Sequence, residues 1–199
     1  KNNHIKNAIF FDLDKNSKKD IDLPHMLTDV KSWENIVSNM GIKNDDQIVI
    51  YDNSDVISSC RCWYNFIYFG HNPELVHVLD GGLKKWIKKD KATTSDIIKI
   101  IPSNYIANEK RELVKDINQI NKNILEKNFD KVKIIDCSWH MPQTERNGFD
   151  EYKNNHIKNA IFFDLDKNSK KDIDLPHMLT DVKSWENIVS NMGIKNDDQ

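Results

Sequence analysis

Cysteine is scarce in this chain: Cys60, Cys62 and Cys137 are the only three in 199 residues. They are too few and too scattered for a disulfide framework or a four-ligand zinc site, so the expected setting is reducing and cytoplasmic, with no metal and no cofactor implied. Charge of one sign is lacking as well. Lys and Arg number 29 against 31 Asp and Glu, and the net charge of −2 gives no pull toward nucleic acid or an anionic membrane. No apolar run approaches the roughly 18 residues that span a bilayer, and the opening KNNHIKN lacks the pattern of a secretory signal. The first residue is not Met, which leaves room for an upstream segment. With 38 % hydrophobic and 30 % charged residues the chain can still build a core.

What the chain does have is a repeat. Residues 1–47 recur unchanged as 153–199, displaced by 152 residues. Solenoid repeats run about 20–50 residues and diverge because their neighbours differ. The period here is instead close to the roughly 100–150 residues of a typical domain, and the second copy stops in mid-domain. A recent duplication, an engineered joining and a circular assembly of the coding DNA each produce such an overlap. In all three the unique content is about one domain.

Short apolar runs bounded by turn signals read as buried strands: AIFF (8–11 and again 160–163), IVIY (48–51), VHVL (76–79) and VKII (132–135). Between them lie helical patterns. Val30, Trp33, Ile36, Val37 and Met40 share one face, with Thr28 or Asp29 as N-cap and Gly41 as the stop. CWYNFIYFG (62–70), opening near Ser59, gives a second helix, and LKKWIKK (83–89) a third. Residues 91–108 have no clear period and contain Pro102, so they read as a linker leaving the domain. Leu113, Ile117, Ile120 and Ile124 mark a further helix with Asn108 as N-cap. Alternating strands and helices imply α/β architecture: a parallel central sheet with helices on both faces.

Read as a circle, the order becomes KIIDCSWHMP…HIKNAIFFDLD…DLPHML…IVIYD…RCW…FGH…LDGGLKKW. These blocks resemble the N-terminal domain of the two-domain rhodanese family, the thiosulfate and 3-mercaptopyruvate sulfurtransferases. The likeness covers residues 1–90 and 133–199, and residues 103–124 resemble the start of the family's second domain. The resemblance implies a rhodanese-like domain in circularly permuted order, formed by 1–90 plus 131–152. Residues 91–130 would then be a linker and helix, and 153–199 a duplicate that competes with 1–47. It also implies sulfur transfer through a cysteine persulfide, with a small sulfur donor and a second, catalytic rhodanese domain as partners.

In the family the nucleophile follows the central strand, where backbone N–H groups and a helix N-terminus stabilise a thiolate. Here IVIY is followed by Asp52-Asn53-Ser54-Asp55, and a carboxylate at Asp52 cannot form a persulfide. Cys60 is the remaining thiol candidate, because a helix N-terminus and Arg61 beside it would favour the thiolate. A small buried cysteine is the blander reading, and it suits Cys62 and Cys137 better still. Asp14 and His25, with copies Asp166 and His177, match an acid and histidine that in mercaptopyruvate-type relatives form a relay with a serine of the second domain. The alternative is a polar pair that closes the DLPHML turn, with Asp12 capping the turn before it. Arg61, Trp63, Trp139 and Arg146 match positions near the family's domain contact or substrate cleft; the alternative is that Trp63 is plain core, an ambiguity that Trp139 and Arg146 share. His4 and His71 have no metal-like companions, and the basic run Lys84–Lys91 reads as a solvated helix face.

Two arrangements of the repeat compete. The strand at 132–135 inserts beside 8–11 to give the circular permutant, or it pairs with 160–163 through its native connection. The first is expected, with the spare copy disordered, loosely packed or exchanged into a partner as a domain-swapped dimer. The functional expectation is the non-catalytic domain of a sulfurtransferase, inactive alone. A silent rhodanese-like module that binds a partner or an anion at the Asp52–Ser59 loop is the alternative.

Overall fold

The computed structural model describes residues 3–20, 22–54, 58–129 and 132–198. It divides into two compact units, Lys1–Leu113 and Val114–Gln199.

Unit 1 begins with the first copy of the repeat. Helix α1 (Val30–Asn39) is capped by Asp29, whose carboxylate accepts the Ser32 N–H at 2.9 Å, and it ends at Gly41 in the left-handed region (φ 72). A parallel pair follows, β1 (Ile48–Ile50) and β2 (Val76–Val78), in the register Ile48↔Val76 to Ile50↔Val78. Helix α2 (Ser58–Tyr68) makes the crossover between them, as a parallel pair requires, and α3 (Gly82–Lys88) comes after. Apolar side chains at helical spacing on α1 and α2 meet in the core. Trp33 is fully buried, stacked 4.7 Å from the Phe69 ring and edge-on to Phe66 at 5.1 Å.

The segment expected to leave the domain stays on it. Ser103 and Tyr105 donate backbone N–H groups to the Ser38 carbonyl and hydroxyl, and Ala107 donates to Glu34. On the other side Asn108 and Lys110 donate to the carbonyls of Phe69 and Tyr68. Tyr105 is 2 % exposed and lies parallel to the His71 ring at 5.8 Å. Residues 91–113 are therefore a strap with an aromatic anchor. Sequence periodicity could not show this, because the strap is extended and its partners lie far away in the chain. Gly70 (φ 83) ends α2 where a side chain would collide with the Asn108 carbonyl, a Cβ there lying 2.4 Å from that oxygen.

Unit 2 starts with α4 (Ile117–Leu125), whose N-cap is Asp116 in a reciprocal capping box with Gln119. Asn108, the expected cap, is held by the strap instead, and Leu113 lies in a short 3₁₀ turn ahead of the helix. Strand β3 (Ile135–Asp136) pairs parallel with β4 (Ile161–Phe162), and α5 (Gly148–Asn154) lies between them in the chain. Helix α6 (Val182–Asn191) repeats α1 with Asp181 as its cap.

The permuted pairing is thus not the one seen. Strand β3 joins the second copy, and residues 8–11 form no strand. The native connection explains the choice. Phe149 and Tyr152 of α5 pack on Phe162 at 5.2 and 5.3 Å, and the Tyr152 hydroxyl donates to the Ala160 carbonyl, so the crossover itself fixes β4 beside β3. Neither copy of the repeat is left unfolded, since each forms its own helix.

Tyr105→Ala should destabilise unit 1 by on the order of 3 kcal/mol, read as a shift in the denaturant midpoint. A shift under about 1 kcal/mol would mean that the strap is not part of this unit's core.

Candidate functional site

Each copy of the repeat builds the same loop. Asp12 accepts the Lys15 N–H and Asp164 accepts that of Lys167, both at 2.9 Å, so these carboxylates cap the turn that leaves residues 8–11 and their copy. The chain then doubles back, with Lys18 N–H bonded to the Met26 carbonyl and Lys170 to Met178. Across this loop stand the acid and the histidine. His25 Nε2 is 2.7 Å from Asp14 Oδ1, and His177 Nε2 is 2.9 Å from Asp166 Oδ1. A carboxylate only accepts, so Nε2 carries the proton in both pairs. Both histidines sit at φ 56 at the apex of DLPHML.

The two pairs differ in what surrounds them. In unit 1 the pair is open, with the His25 side chain 45 % exposed, and the guanidinium of Arg61 donates to the His25 carbonyl at 2.5 Å. In unit 2 the DCSWHMP segment supplies a lid. Trp139 sets its ring edge-on to His177 at 4.8 Å and donates Nε1–H to Asp166 Oδ2 at 2.9 Å, leaving the histidine side chain only 4 % exposed. Burial alone would raise the Asp166 pKa, but the bonds from His177 and Trp139, with the charges of His177 and Lys171, hold it below its ordinary value near 3.8. His177 Nδ1 is buried with no hydrogen-bond partner among the described residues.

Trp139, Arg146 and Asp166 line one cleft of about 140 Å³. Arg146 is committed within it. Its Nε and Nη2 grip both oxygens of Glu151 at 2.7 Å, and His140 Nε2 reaches the same carboxylate at 3.1 Å. This pulls Glu151 down to about 2 and satisfies the guanidinium on two of its donors. Sequence reading missed Glu151 and His140. The five-residue spacing of Arg146 and Glu151 was a usable signal, since α5 begins between them.

Asp52 caps the start of α2. Its Oδ2 accepts the Ser59 N–H in the first turn of α2 at 2.7 Å, and its carbonyl accepts from Leu83. Residues 55–57 of the loop lie outside the described residues. Cys60 stands near this helix end, yet burial and the Asp52 carboxylate push its thiol up, opposite to the direction expected from the helix end and Arg61. Burial also raises Cys137 and sends Cys62 up to about 12. Trp63 donates its indole N–H to the Val76 carbonyl at 3.1 Å and is a packing residue. His4 bridges to the strap through Thr94, and His71 is 1 % exposed against Tyr105. Among the described residues no group of three His, Cys, Asp or Glu could hold a metal ion, and no helix is long and apolar enough to cross a membrane.

Residues 1–89 match the Rhodanese-like domain family. The chain has the rhodanese fold and is similar in sequence to thiosulfate/3-mercaptopyruvate sulfurtransferases. Thiosulfate/3-mercaptopyruvate sulfurtransferase 1, mitochondrial, of Arabidopsis thaliana is 46 % identical over 83 residues, which cover 42 % of this chain and 21 % of that protein. Thiosulfate sulfurtransferase of Bos taurus is 33 % identical over 131 residues, covering 65 % of this chain and 43 % of that protein. This chain therefore spans less than half the length of these relatives. Among solved structures, the rhodanese fold of SseA, a 3-mercaptopyruvate sulfotransferase from Escherichia coli, superposes with a TM-score of 0.78 at 22 % identity, over 98 % of this chain and 70 % of that one. Tum1 of Saccharomyces cerevisiae gives 0.71 at 19 %, over 97 % and 66 %. At these identities the likeness is one of fold.

Two outcomes are expected of this site. Because the folded Asp166 pKa is depressed, its contribution to unit 2 is present above the ordinary carboxylate value near 3.8 and is lost as pH falls through the lower folded value. Trp139 emission should change over that acid range, and Asp166→Asn should abolish the transition. Cys60, with its thiol raised, should react with iodoacetamide at pH 7 several-fold more slowly than an unhindered cysteine. Asp52→Asn should narrow that gap.

Proposed function

We propose that this chain holds the non-catalytic N-terminal domain of a two-domain sulfurtransferase. The parent protein would move sulfur from thiosulfate or 3-mercaptopyruvate to a thiophilic acceptor, and a second rhodanese domain would carry the nucleophilic cysteine. One observation carries the reading: Asp52, two residues beyond β1, commits its carboxylate to the N-terminal turn of α2, the place where a persulfide would need those N–H groups. The similarity to thiosulfate and 3-mercaptopyruvate sulfurtransferases supports the reaction class, and the raised pKa values of all three thiols support silence of this chain alone.

The Asp–His pairs fit a role in orienting that partner domain's chemistry. An imidazole whose Nε2–H is fixed on a carboxylate presents Nδ1 as an acceptor, the atom that would polarise a hydroxyl brought against it. In unit 1 the exposed His25 is the accessible one of the two.

The purified chain, incubated with thiosulfate and cyanide or with 3-mercaptopyruvate and a thiol, should form thiocyanate or pyruvate no faster than buffer. Intact-mass spectrometry should find no sulfur adduct on any cysteine. Turnover that Cys60→Ser removes, or a persulfide on Cys60, would sink the proposal.

A further inference from the structure

Asn147 is the one asparagine in the chain that is followed by glycine. The side-chain carbonyl of an asparagine is open to attack by the main-chain nitrogen of the next residue, and a glycine there leaves that nitrogen unscreened by a Cβ. Packing explains why this pair stands where it does. A Cβ at residue 148 would lie 2.0 Å from the Ser138 carbonyl oxygen, so the start of α5 can lie against the segment that carries Trp139 only if that residue is glycine. Asn147 is exposed and its side chain is in use, with Oδ1 accepting the Asp150 N–H at 2.9 Å to cap α5. Its backbone is extended, at φ −129 and ψ 113, which turns the Gly148 nitrogen away from the Asn147 side chain.

We propose that Asn147 is a modification site, which loses ammonia spontaneously to become aspartate or isoaspartate at a rate gated by its cap on α5, the isoaspartate alone loosening unit 2. The Gly148 nitrogen attacks Cγ of Asn147 and gives up its proton. A new N–C bond closes a five-membered imide, the bond from Cγ to the side-chain nitrogen breaks, and that nitrogen leaves as ammonia with the proton. Water then opens the ring at either carbonyl. No group is oxidised or reduced, and solvent water is the only co-reactant. Cleavage between Cγ and the ring nitrogen restores the chain as aspartate, which caps a helix as well as asparagine does. Cleavage at the main-chain carbonyl leaves isoaspartate, whose backbone runs through Cβ and is longer by one carbon. The close approach of Gly148 to the Ser138 carbonyl has no room for that carbon, and Phe149 and Tyr152, which hold β4 beside β3, ride on the helix that must shift. The gate is geometric. Ring closure requires the bond to the Asp150 N–H to break and the Asn147 Cα–C bond to rotate, so the reaction waits on local opening of the first turn of α5. Asn16, Asn53 and Asn168 each precede a serine, whose Cβ screens the nitrogen.

Incubation of the full chain in mildly alkaline buffer made with heavy-oxygen water, followed by peptide mapping, tests this. Label should enter at position 147 faster than at Asn16, Asn53 or Asn168, as a mixture of aspartate and isoaspartate. In the native chain it should enter about fivefold or more slowly than in the same chain held in denaturant. Asn147→Ser, which keeps a capping side chain, should take up no label there. Once the two products are separated, the isoaspartate form should show a lower denaturant midpoint, while the aspartate form and Asn147→Asp should match the unmodified chain. Label entering no faster at position 147 than at the asparagines before serine would overturn the proposal, as would equal rates in the native and denatured chains. An isoaspartate form as stable as the unmodified chain would overturn it too, since the Ser138 contact would then have yielded at no cost.

Discussion

The indole of Trp33, stacked on Phe69 and edge-on to Phe66, joins the first copy of the repeat to the block that follows it. Burying an aromatic of this size supplies several kcal/mol of the marginal stability of a small domain. Other features of unit 1 follow from that contact. It sets α1 against α2, gives the strap two surfaces to bridge, and holds β1 and β2 under the crossover helix. Where the contact is missing, in unit 2, the same helix still forms, because Asp181 caps it, but its apolar face stays half open. Local sequence decides that a helix exists. The neighbour decides whether it belongs to a core.

A second constraint is electrostatic. The first turn of α2 presents unpaired N–H groups, and the carboxylate of Asp52 satisfies one of them. A helix end already neutralised by an anion has less left to lower the pKa of a thiol, and burial together with the Asp52 carboxylate raises that of Cys60. Arg61, the other candidate activator, turns away to the His25 carbonyl. The residue that caps the helix start thus adds to burial in raising the neighbouring cysteine's pKa.

Much of this was legible in the residues. The α1 pattern, the strands IVIY and VHVL and the α2 span were readable because each rests on local periodicity and nearby turn signals. So was the pairing of Asp14 with His25, which sit in one loop. The strap was not legible, since Tyr105 finds its place through His71 and Ser38, more than 30 residues away. The choice of β4 over residues 8–11 was hidden for a different reason. The two segments are the same letters, and only the packing of Phe149 and Tyr152 on Phe162 separates them. The bond of Arg146 to Glu151 was hidden as well, because that partner lies on the next helix and the pairing depends on the turn between them.

The strap has a consequence for how the chain can be cut. A protease needs several residues of extended backbone free to fit its cleft, and residues 103–110 are bonded on one side to α1 and on the other to the end of α2. Just beyond it, Val114 is 41 % exposed and Lys115 is exposed as well, immediately before the capping box of α4. A nick there would spare every bond the strap makes. Limited digestion would therefore yield two fragments that each keep one copy of the repeat, and the identical helix would be left in a closed core in one and an open one in the other.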